Sequence, residues 1–274
     1  MQNKMLLSGL VMSFGILLSA CAEQAKETAE KKEREEETGT SGEEHVHWSY
    51  EGNSGPENWG SLNEDFLACE KGSAQSPVNI ESAKAGESGG TNEIQMNYQA
   101  SEYSLLHTGH TIQLNPKSGE NTLEVDDSTY QLVQFHFHTP SEHQFDGEHH
   151  EMELHLVHEN EEGQLAVAGI MIEEGEENEQ LASVWNSLPE KQSAEEMDVK
   201  SKIDAGELLP EEEQVVRYDG SLTTPPCTEE VKWMVFEDPI NMSKEQIDSF
   251  QDLFPNNSRP VQPVNERELL KDAL

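Results

Sequence analysis

The sequence predicts one mainly β domain with few short helices over residues 45–274. Three observations lead to this prediction. Short stretches alternate apolar and polar side chains, as expected where every second side chain of a strand lies on the same face. Pro, Gly, Asn and Asp residues separate these stretches as turns, and helical patterns are rare. A chain of about 230 residues with this pattern is long enough for one hydrophobic core.

The elements follow in chain order. Alternating stretches that predict strands cover residues 104–114, 130–138, 151–158, 165–172 and 231–237. Turn signals between strands lie at Asn115-Pro116, Asp146-Gly147 and Asp219-Gly220. Helices are predicted over residues 178–187 and 243–253. The second helix begins with Ser243, whose hydroxyl can accept a hydrogen bond from a free backbone N–H of the first turn.

The N-terminus has the pattern of a secretion signal. In residues 1–20, Lys4 precedes an apolar run that ends in small residues. The run is shorter than the roughly 20 residues of a membrane helix. Its ending, Leu18-Ser19-Ala20-Cys21, resembles the lipobox of bacterial lipoproteins, in which the cysteine is lipidated; the alternative is a buried helix with an incidental cysteine.

Residues 21–44 contain few apolar side chains, and they are predicted to be a disordered acidic tether, with a frayed exposed helix as the alternative. The expected location is outside the cell, with a lipid anchor on the outer side of the cell membrane. In a cell with a second membrane the expected location is the periplasm.

The chain is strongly acidic. It has 55 Asp and Glu against 17 Lys and Arg, and −34 of its net charge of −38 belongs to residues 45–274. Such a polyanion repels the phosphates of nucleic acid and of anionic lipids, so nucleic acid is excluded and the lipid anchor is the only expected membrane contact. High charge is also typical of disorder, but all four Trp and all five Tyr lie in this region, and disorder is rejected there.

Two predicted strands carry histidines at alternate positions. His136 and His138 share a strand face with Gln134, and His155 shares a face with Glu153. If these strands are antiparallel neighbours, the three imidazoles converge and leave one coordination position open, as in a catalytic Zn²⁺ site. Inward Gln and Glu side chains suit the outer ring N–H groups of such ligands. The alternatives are surface histidines on a strand, or cobalt or iron in place of zinc.

The loop at residues 223–226 predicts a role for a threonine at the centre, and two cysteines predict a disulfide. Pro225 and Pro226 stiffen the loop, so that Thr223 can hold its hydroxyl beside a metal-bound nucleophile; the alternative is a rigid connection without chemistry. Cys69 and Cys227 are the cysteines left after Cys21, and in an oxidising compartment they are expected to form a disulfide. Two buried free thiols are the alternative.

At these residues the sequence resembles the α-class carbonic anhydrases of bacterial type. The motifs that carry the resemblance are, in chain order, His47-Trp48-Ser49-Tyr50, Gly55-Pro56-Glu57-Asn58-Trp59, Gln75-Ser76-Pro77-Val78-Asn79-Ile80, the histidine strands, Ser141-Glu142-His143, Leu165-Ala166-Val167, Thr223-Thr224-Pro225-Pro226 and Arg259-Pro260-Val261-Gln262-Pro263. The resemblance implies a central twisted, mostly antiparallel sheet of about ten strands. It also implies reversible hydration of carbon dioxide to bicarbonate and a proton, through attack of zinc-bound hydroxide with a histidine proton shuttle.

The resemblance assigns roles to individual positions. Matching residues are His136, His138 and His155 for the zinc ligands; Gln134 and Glu153 for their hydrogen-bond partners; Thr223 and Glu142 for the pair that orients the hydroxide; His110 for the proton shuttle; Val157, Val167, Leu222, Thr224 and Trp233 for the substrate pocket; and Cys69 and Cys227 for the disulfide of secreted members.

Carbon dioxide and bicarbonate are therefore the expected partners, and the oligomeric state is left open between monomer and dimer. Two other functions stay possible at this point. A silent extracellular binding module would be expected to lack a ligand histidine. A zinc hydrolase for larger esters would be expected to have a pocket lined by small residues.

Overall fold

The computed structural model describes residues 46–88, 94–212 and 214–274. The predicted signal segment, the Cys21 lipidation site and the acidic tether lie outside the described residues. No helix within the described ranges has the length and hydropathy that a membrane crossing requires.

Strands dominate the described residues, as the alternating pattern predicts. In chain order they are β1 (Asn79–Ile80), β2 (Gly86–Glu87), β3 (Gln95–Asn97), β4 (Tyr103–His107), β5 (Ile112–Pro116), β6 (Thr122–Val125), β7 (Ser128–His138), β8 (Gln144–Phe145), β9 (Met152–Glu159), β10 (Leu165–Glu174), β11 (Met197–Asp198), β12 (Gln214–Ser221), β13 (Glu229–Phe236), β14 (Ile240–Met242) and β15 (Leu270–Ala273). The helices are α1 (Trp59–Leu62), α2 (Ala68–Lys71), α3 (Ala182–Trp185) and α4 (Lys244–Leu253), with 3₁₀ turns at Gly52–Ser54, Pro56–Asn58, Glu64–Phe66 and Ala205–Leu208.

Thirteen of the described strands form one sheet. Ten of them follow the order β11-β4-β5-β7-β9-β10-β13-β12-β15-β2, with β3, β6 and β14 paired at its side, while β1 and β8 form a separate parallel pair. Most pairings in the sheet are antiparallel, and the parallel ones are β10–β13, β10–β14 and β15–β2. The predicted fold class, a mostly antiparallel sheet with few short helices, is confirmed.

Strand β9 shows how the sheet combines a core with a polar site. Seven of its eight residues are buried, because both faces of the sheet are covered. Leu154 and Leu156 belong to the larger apolar cluster, which includes Phe250 of α4. Val157 belongs to the smaller cluster on the other face. Since side chains alternate along a strand, Glu153 and His155 share the face of Val157.

Three sequence predictions need correction. Asn115-Pro116 is not a turn but the end of β5, where these residues pair with Ser104 and Tyr103 of β4. Residues 104–114 are not one strand but the hairpin of β4 and β5, and its turn contains Gly109 with a φ of +93°. Asp219-Gly220 is not a turn but part of β12. Gly220 serves a close contact there, because a Cβ at this position would lie 2.2 Å from Oγ of Ser76. The sequence pattern cannot distinguish this use of glycine from a turn.

One helix prediction was right and the other was right only in part. Ser243 caps α4, and its hydroxyl accepts from the backbone N–H of Gln246, as predicted. The helix predicted over residues 178–187 is reduced to α3. The Gln246 side chain accepts from the backbone N–H of Asn178 and donates to its carbonyl oxygen, so these groups are used in a tertiary contact instead of a helix.

His158, at the end of β9, is a fully buried histidine away from the predicted metal ligands. Its Nδ1–H donates to the carbonyl oxygen of Ala166 at 3.2 Å, and its Nε2 accepts from the hydroxyl of Tyr98 at 2.8 Å. Burial lowers the pKa of His158 from 6.5 to about 4. The ring is therefore neutral in the folded protein at neutral pH.

This neutral His158 is expected to contribute to acid sensitivity. Below pH 6.5 the unfolded chain binds a proton that the folded chain excludes, so the contribution is complete above pH 6.5 and is lost as the pH falls towards 4. The loss amounts to about 3 kcal/mol of unfolding free energy. In His158→Gln, which keeps a donor and an acceptor, urea unfolding at pH 7, 5.5 and 4.5 should show a flatter dependence on pH. Parallel curves for both proteins would contradict the expectation.

Candidate metal centre

The register of β7 and β9 brings the predicted histidines together. The strands are antiparallel, with His136 opposite His155 and His138 opposite Glu153. The ring centroids of the three histidines lie 4.6 to 5.2 Å apart. One ring nitrogen from each lies within 4.8 Å of the others. The predicted convergence of the three imidazoles is therefore present.

Hydrogen bonds determine which nitrogen of each histidine faces the centre. Nδ1–H of His136 donates to Oε1 of Gln134 at 2.8 Å, and Nε2–H of His155 donates to Oε1 of Glu153 at 2.8 Å. Nδ1–H of His138 donates to the backbone carbonyl oxygen of Asn257 at 2.7 Å. The free nitrogens are therefore Nε2 of His136, Nε2 of His138 and Nδ1 of His155.

The electrostatic environment favours neutral rings at two of these positions. Burial, followed by repulsion from the neighbouring histidines, holds the pKa of His136 well below its ordinary value. Burial also lowers the pKa of His138. At His155 burial acts in the same direction, but the adjacent Glu153 carboxylate raises the pKa overall. A carboxylate behind a ligating imidazole makes that ring a more basic donor.

Glu153 is held by four hydrogen bonds within the core. Its Oε2 accepts from the backbone N–H groups of Glu142 and His143, both at 2.8 Å. Its Oε1 accepts from Nδ1–H of His143 at 2.7 Å and from His155. Gly169 leaves room for this carboxylate, since a Cβ there would lie 2.8 Å from Oε1. Burial opposes ionisation, but His143 and His155 keep the pKa of Glu153 well below its usual value.

The hydrogen bonds continue beyond Glu153 into the sheet. Nε2 of His143 accepts from the hydroxyl of Tyr218 at 2.6 Å, and the Tyr218 oxygen lies 2.8 Å from Oγ of Ser76. His143, Glu153 and His155 also form a group of close potential metal ligands. Their facing atoms are already joined by hydrogen bonds, so this group supports the centre and is not a second metal site.

Two buried atoms without a hydrogen-bond partner bear on whether the three histidines can hold a metal ion. Among the described residues, Nε2 of His138 and Oε2 of Glu142 are the buried side-chain atoms without a hydrogen-bond partner, and they lie 3.5 Å apart. A buried lone pair without a partner is costly. Three imidazole nitrogens with fixed outer N–H groups are a donor set that Zn²⁺ prefers. The residues present therefore fit a zinc ion.

Glu142 and Thr223 are both buried, but no hydrogen bond joins them. Oε1 of Glu142 accepts from the backbone N–H of Arg259 at 2.8 Å, whereas its Oε2 has no partner. Thr223 is 5% exposed and lies in the loop after β12. This loop is fixed by a hydrogen bond from the Cys227 N–H to the Thr224 carbonyl oxygen. It is also fixed by the predicted disulfide to Cys69, which is present.

The predicted apolar pocket residues gather beside the centre. Val167 of β10 is paired with Val157 of β9 on one side and with Trp233 of β13 on the other. All three are buried in the smaller apolar cluster, and Leu222 packs against it. The Trp233 ring lies 4.9 Å from the His155 ring. Thr224, the remaining predicted pocket residue, is half-buried in the loop after β12.

His110 lies in the turn of the β4–β5 hairpin and is half-buried. Its ring stacks on Trp48, with the centroids 3.7 Å apart and the planes 9° apart. The His47 ring is 6.5 Å away. Burial, followed by the nearby His47, lowers the pKa of His110. Asn257 donates to the His110 carbonyl oxygen at 3.0 Å and therefore touches both this turn and His138.

Several contributors to the centre were not predicted from the sequence. The Asn257 carbonyl belongs to the backbone, so no residue pattern signals it. His143 appeared in a matching motif without a role, and its burial follows only from the fold. The stacking partner Trp48 also lay in a matching motif. The sequence around Trp48 does not indicate which side chain its ring contacts.

The chain is similar in sequence and structure to known carbonic anhydrases. The family model for eukaryotic-type carbonic anhydrases matches residues 54–273. A carbonic anhydrase of Pectobacterium atrosepticum is 42% identical over 226 residues, which cover 82% of this chain and 91% of the relative. A carbonic anhydrase of Nostoc sp. is 41% identical and covers 82% of this chain and 86% of its own length. The solved α-carbonic anhydrase from Thermovibrio ammonificans, in complex with the inhibitor sulfanilamide, has a TM-score of 0.79 and 40% identity, covering 82% of this chain and 99% of that one.

Proposed function

Because the chain belongs to the α-carbonic anhydrase family and is thus an enzyme of carbon dioxide hydration, we propose that it works with one zinc ion held by His136, His138 and His155. The observation that carries the proposal is the cluster of three inward ring nitrogens, each backed by a hydrogen bond on the opposite side of its ring. When bound, zinc supplies a Lewis acid that makes water a nucleophile at neutral pH.

The other residues of the centre are proposed to orient the attacking water and to provide an apolar surface for the substrate. Oε2 of Glu142 is free to accept a hydrogen bond, and we assign the Thr223 hydroxyl as its donor. This donation leaves the Thr223 oxygen to accept from the attacking water, so that a lone pair of the water points to the substrate. Val157, Val167 and Trp233 supply an apolar surface for carbon dioxide. Leu222 and Thr224 complete the pocket in this proposal.

His110 is proposed to carry the released proton to the solvent. The ring is half-buried and stacked on Trp48 near the exposed His47, and Asn257 joins its turn to His138. An imidazole is suited to this role because its pKa lies near neutral pH.

Stopped-flow hydration of carbon dioxide tests the proposed function. The wild-type protein should be active as purified, inactive after removal of the metal with a chelator, and active again after zinc is added. Activity that is absent, or that is indifferent to the chelator, would contradict the zinc-dependent reaction.

His110→Ala should slow turnover in weak buffer by about 100-fold, the lower end of the range for loss of a proton-transfer group. Added imidazole should restore the rate, because it replaces the missing acceptor. The matched control is His47→Ala, which removes the neighbouring exposed imidazole and should have a smaller effect. Unchanged turnover of His110→Ala, with no response to imidazole, would contradict the assignment.

We also propose export and lipid anchoring at Cys21, which lies outside the described residues. The disulfide between Cys69 and Cys227 supports an oxidising compartment. Cys21→Ser should release the protein from the membrane fraction, and a protein that stays soluble with Cys21 intact would contradict the anchor.

A further inference from the structure

Arg259 is the one Lys or Arg that is buried among the described residues. Arg259 is 2% exposed, whereas the other Lys and Arg residues in the described ranges are at least partly open to solvent. Burial lowers its pKa to about 10, so the guanidinium is still charged at neutral pH. A buried charge is costly unless it is fully hydrogen-bonded. The hydrogen-bond partners of Arg259 therefore show which segments of the chain it holds in place.

The guanidinium contacts one short segment at several points. One terminal nitrogen donates to Oε1 of Gln75 at 2.9 Å and to the carbonyl oxygen of Ser76 at 2.7 Å, and the other donates to the carbonyl oxygen of Cys69 at 2.9 Å. The guanidinium also lies 5.7 Å from the centre of the Trp59 ring. These contacts fix Arg259 in position and orientation.

Arg259 and its partner Gln75 each contact a residue of the candidate active site or of the loop beside it. The backbone N–H of Arg259 donates to Oε1 of Glu142 and thereby leaves Oε2 towards His138. On the other side, Nε2 of Gln75 donates to the carbonyl oxygen of Cys227 at 3.0 Å. Cys227 closes the loop that carries Thr223, and its disulfide partner Cys69 is itself a carbonyl acceptor of Arg259.

We propose that Arg259 is a positioning residue for the carbon dioxide step: its side chain fixes the distance between Glu142 and the Thr223 loop. The backbone N–H alone cannot do this, because its direction depends on where the rest of Arg259 is anchored. The planar guanidinium fork reaches several acceptors at once, which the single ammonium of a lysine cannot reproduce. This inference rests on the proposed function, since it concerns the residues assigned to that reaction.

The test compares Arg259→Lys with Arg217→Lys. Arg217 lies on β12, where it pairs with Asp126 and Asp272 and contacts none of the residues assigned to catalysis. In excess imidazole, so that proton export is not limiting, kcat/KM of Arg259→Lys should fall about 100-fold, the cost of a displacement of about 1 Å between reacting groups. Zinc content should stay at one per chain. Arg217→Lys should lower Tm but leave kcat/KM within about twofold of wild type.

Gln75→Met provides a second variant if Arg259→Lys does not fold. It removes the contacts of Gln75 with both Arg259 and Cys227 and leaves the buried cation in place, and kcat/KM should again fall while zinc is retained. Wild-type kcat/KM in a folded, zinc-loaded Arg259→Lys or Gln75→Met would overturn the inference, as would an equal fall in Arg217→Lys. An inactive wild-type protein would instead contradict the proposed function.

Discussion

His138→Ala is expected to abolish zinc-dependent hydration of carbon dioxide. His138 is 1% exposed, and its Nε2 is a buried nitrogen without a hydrogen-bond partner. Its Nδ1–H is held by the Asn257 carbonyl oxygen, so the ring cannot turn away from the centre at low cost. Loss of a residue behind a metal ligand costs about 10- to 100-fold in affinity or activity, and loss of the ligand itself should exceed this range. Zinc analysis and stopped-flow hydration measure both effects.

His150→Ala is the matched control for His138→Ala. His150 lies between the two histidine strands and pairs with Glu173 at 3.0 Å, away from the three inward nitrogens. It should retain one zinc per chain and full activity. If His138→Ala kept wild-type hydration and zinc content, the assignment of the metal centre to the strands β7 and β9 would be wrong.

The cluster of three histidines could be predicted because it depends on a short-range rule. Side chains two apart in a strand share a face, so the positions of His136 and His138 determine a pair once the stretch is identified as a strand. The third ligand required only that the next strand be an antiparallel neighbour, which the register of His136 with His155 confirms. Gln134 followed from the same rule and is the hydrogen-bond partner of His136.

Contacts between distant segments could not be predicted in this way. Asn257 lies 119 residues from His138, and the useful atom is a backbone oxygen that every residue possesses. Gly220 looks like a turn residue, but it allows the close approach of Ser76. In both cases the cause lies in the packing of another segment. A pattern within one stretch of sequence carries no information about that packing.

The acceptor role proposed for Glu142 leads to the second large expected effect. In Glu142→Gln the amide oxygen can still accept from the backbone N–H of Arg259. The amide nitrogen would then occupy the place of Oε2, which is buried 3.5 Å from Nε2 of His138. A donor at this place cannot accept from Thr223, so the group that orients the attacking water is lost. Because loss of one orienting hydrogen bond at a reacting atom costs about 10²- to 10³-fold, kcat/KM should fall by that factor.

Zinc content separates this effect from damage to the metal centre. Glu142 is not among the three inward nitrogen donors, so Glu142→Gln should keep one zinc per chain while kcat/KM falls. Glu151→Gln makes the same chemical change at an exposed position just before β9 and should be indistinguishable from wild type. Loss of zinc in Glu142→Gln would make Glu142 part of the metal binding. Retained zinc with wild-type kcat/KM would contradict the prediction, because an amide whose oxygen accepts from the Arg259 N–H presents only a donor towards Thr223.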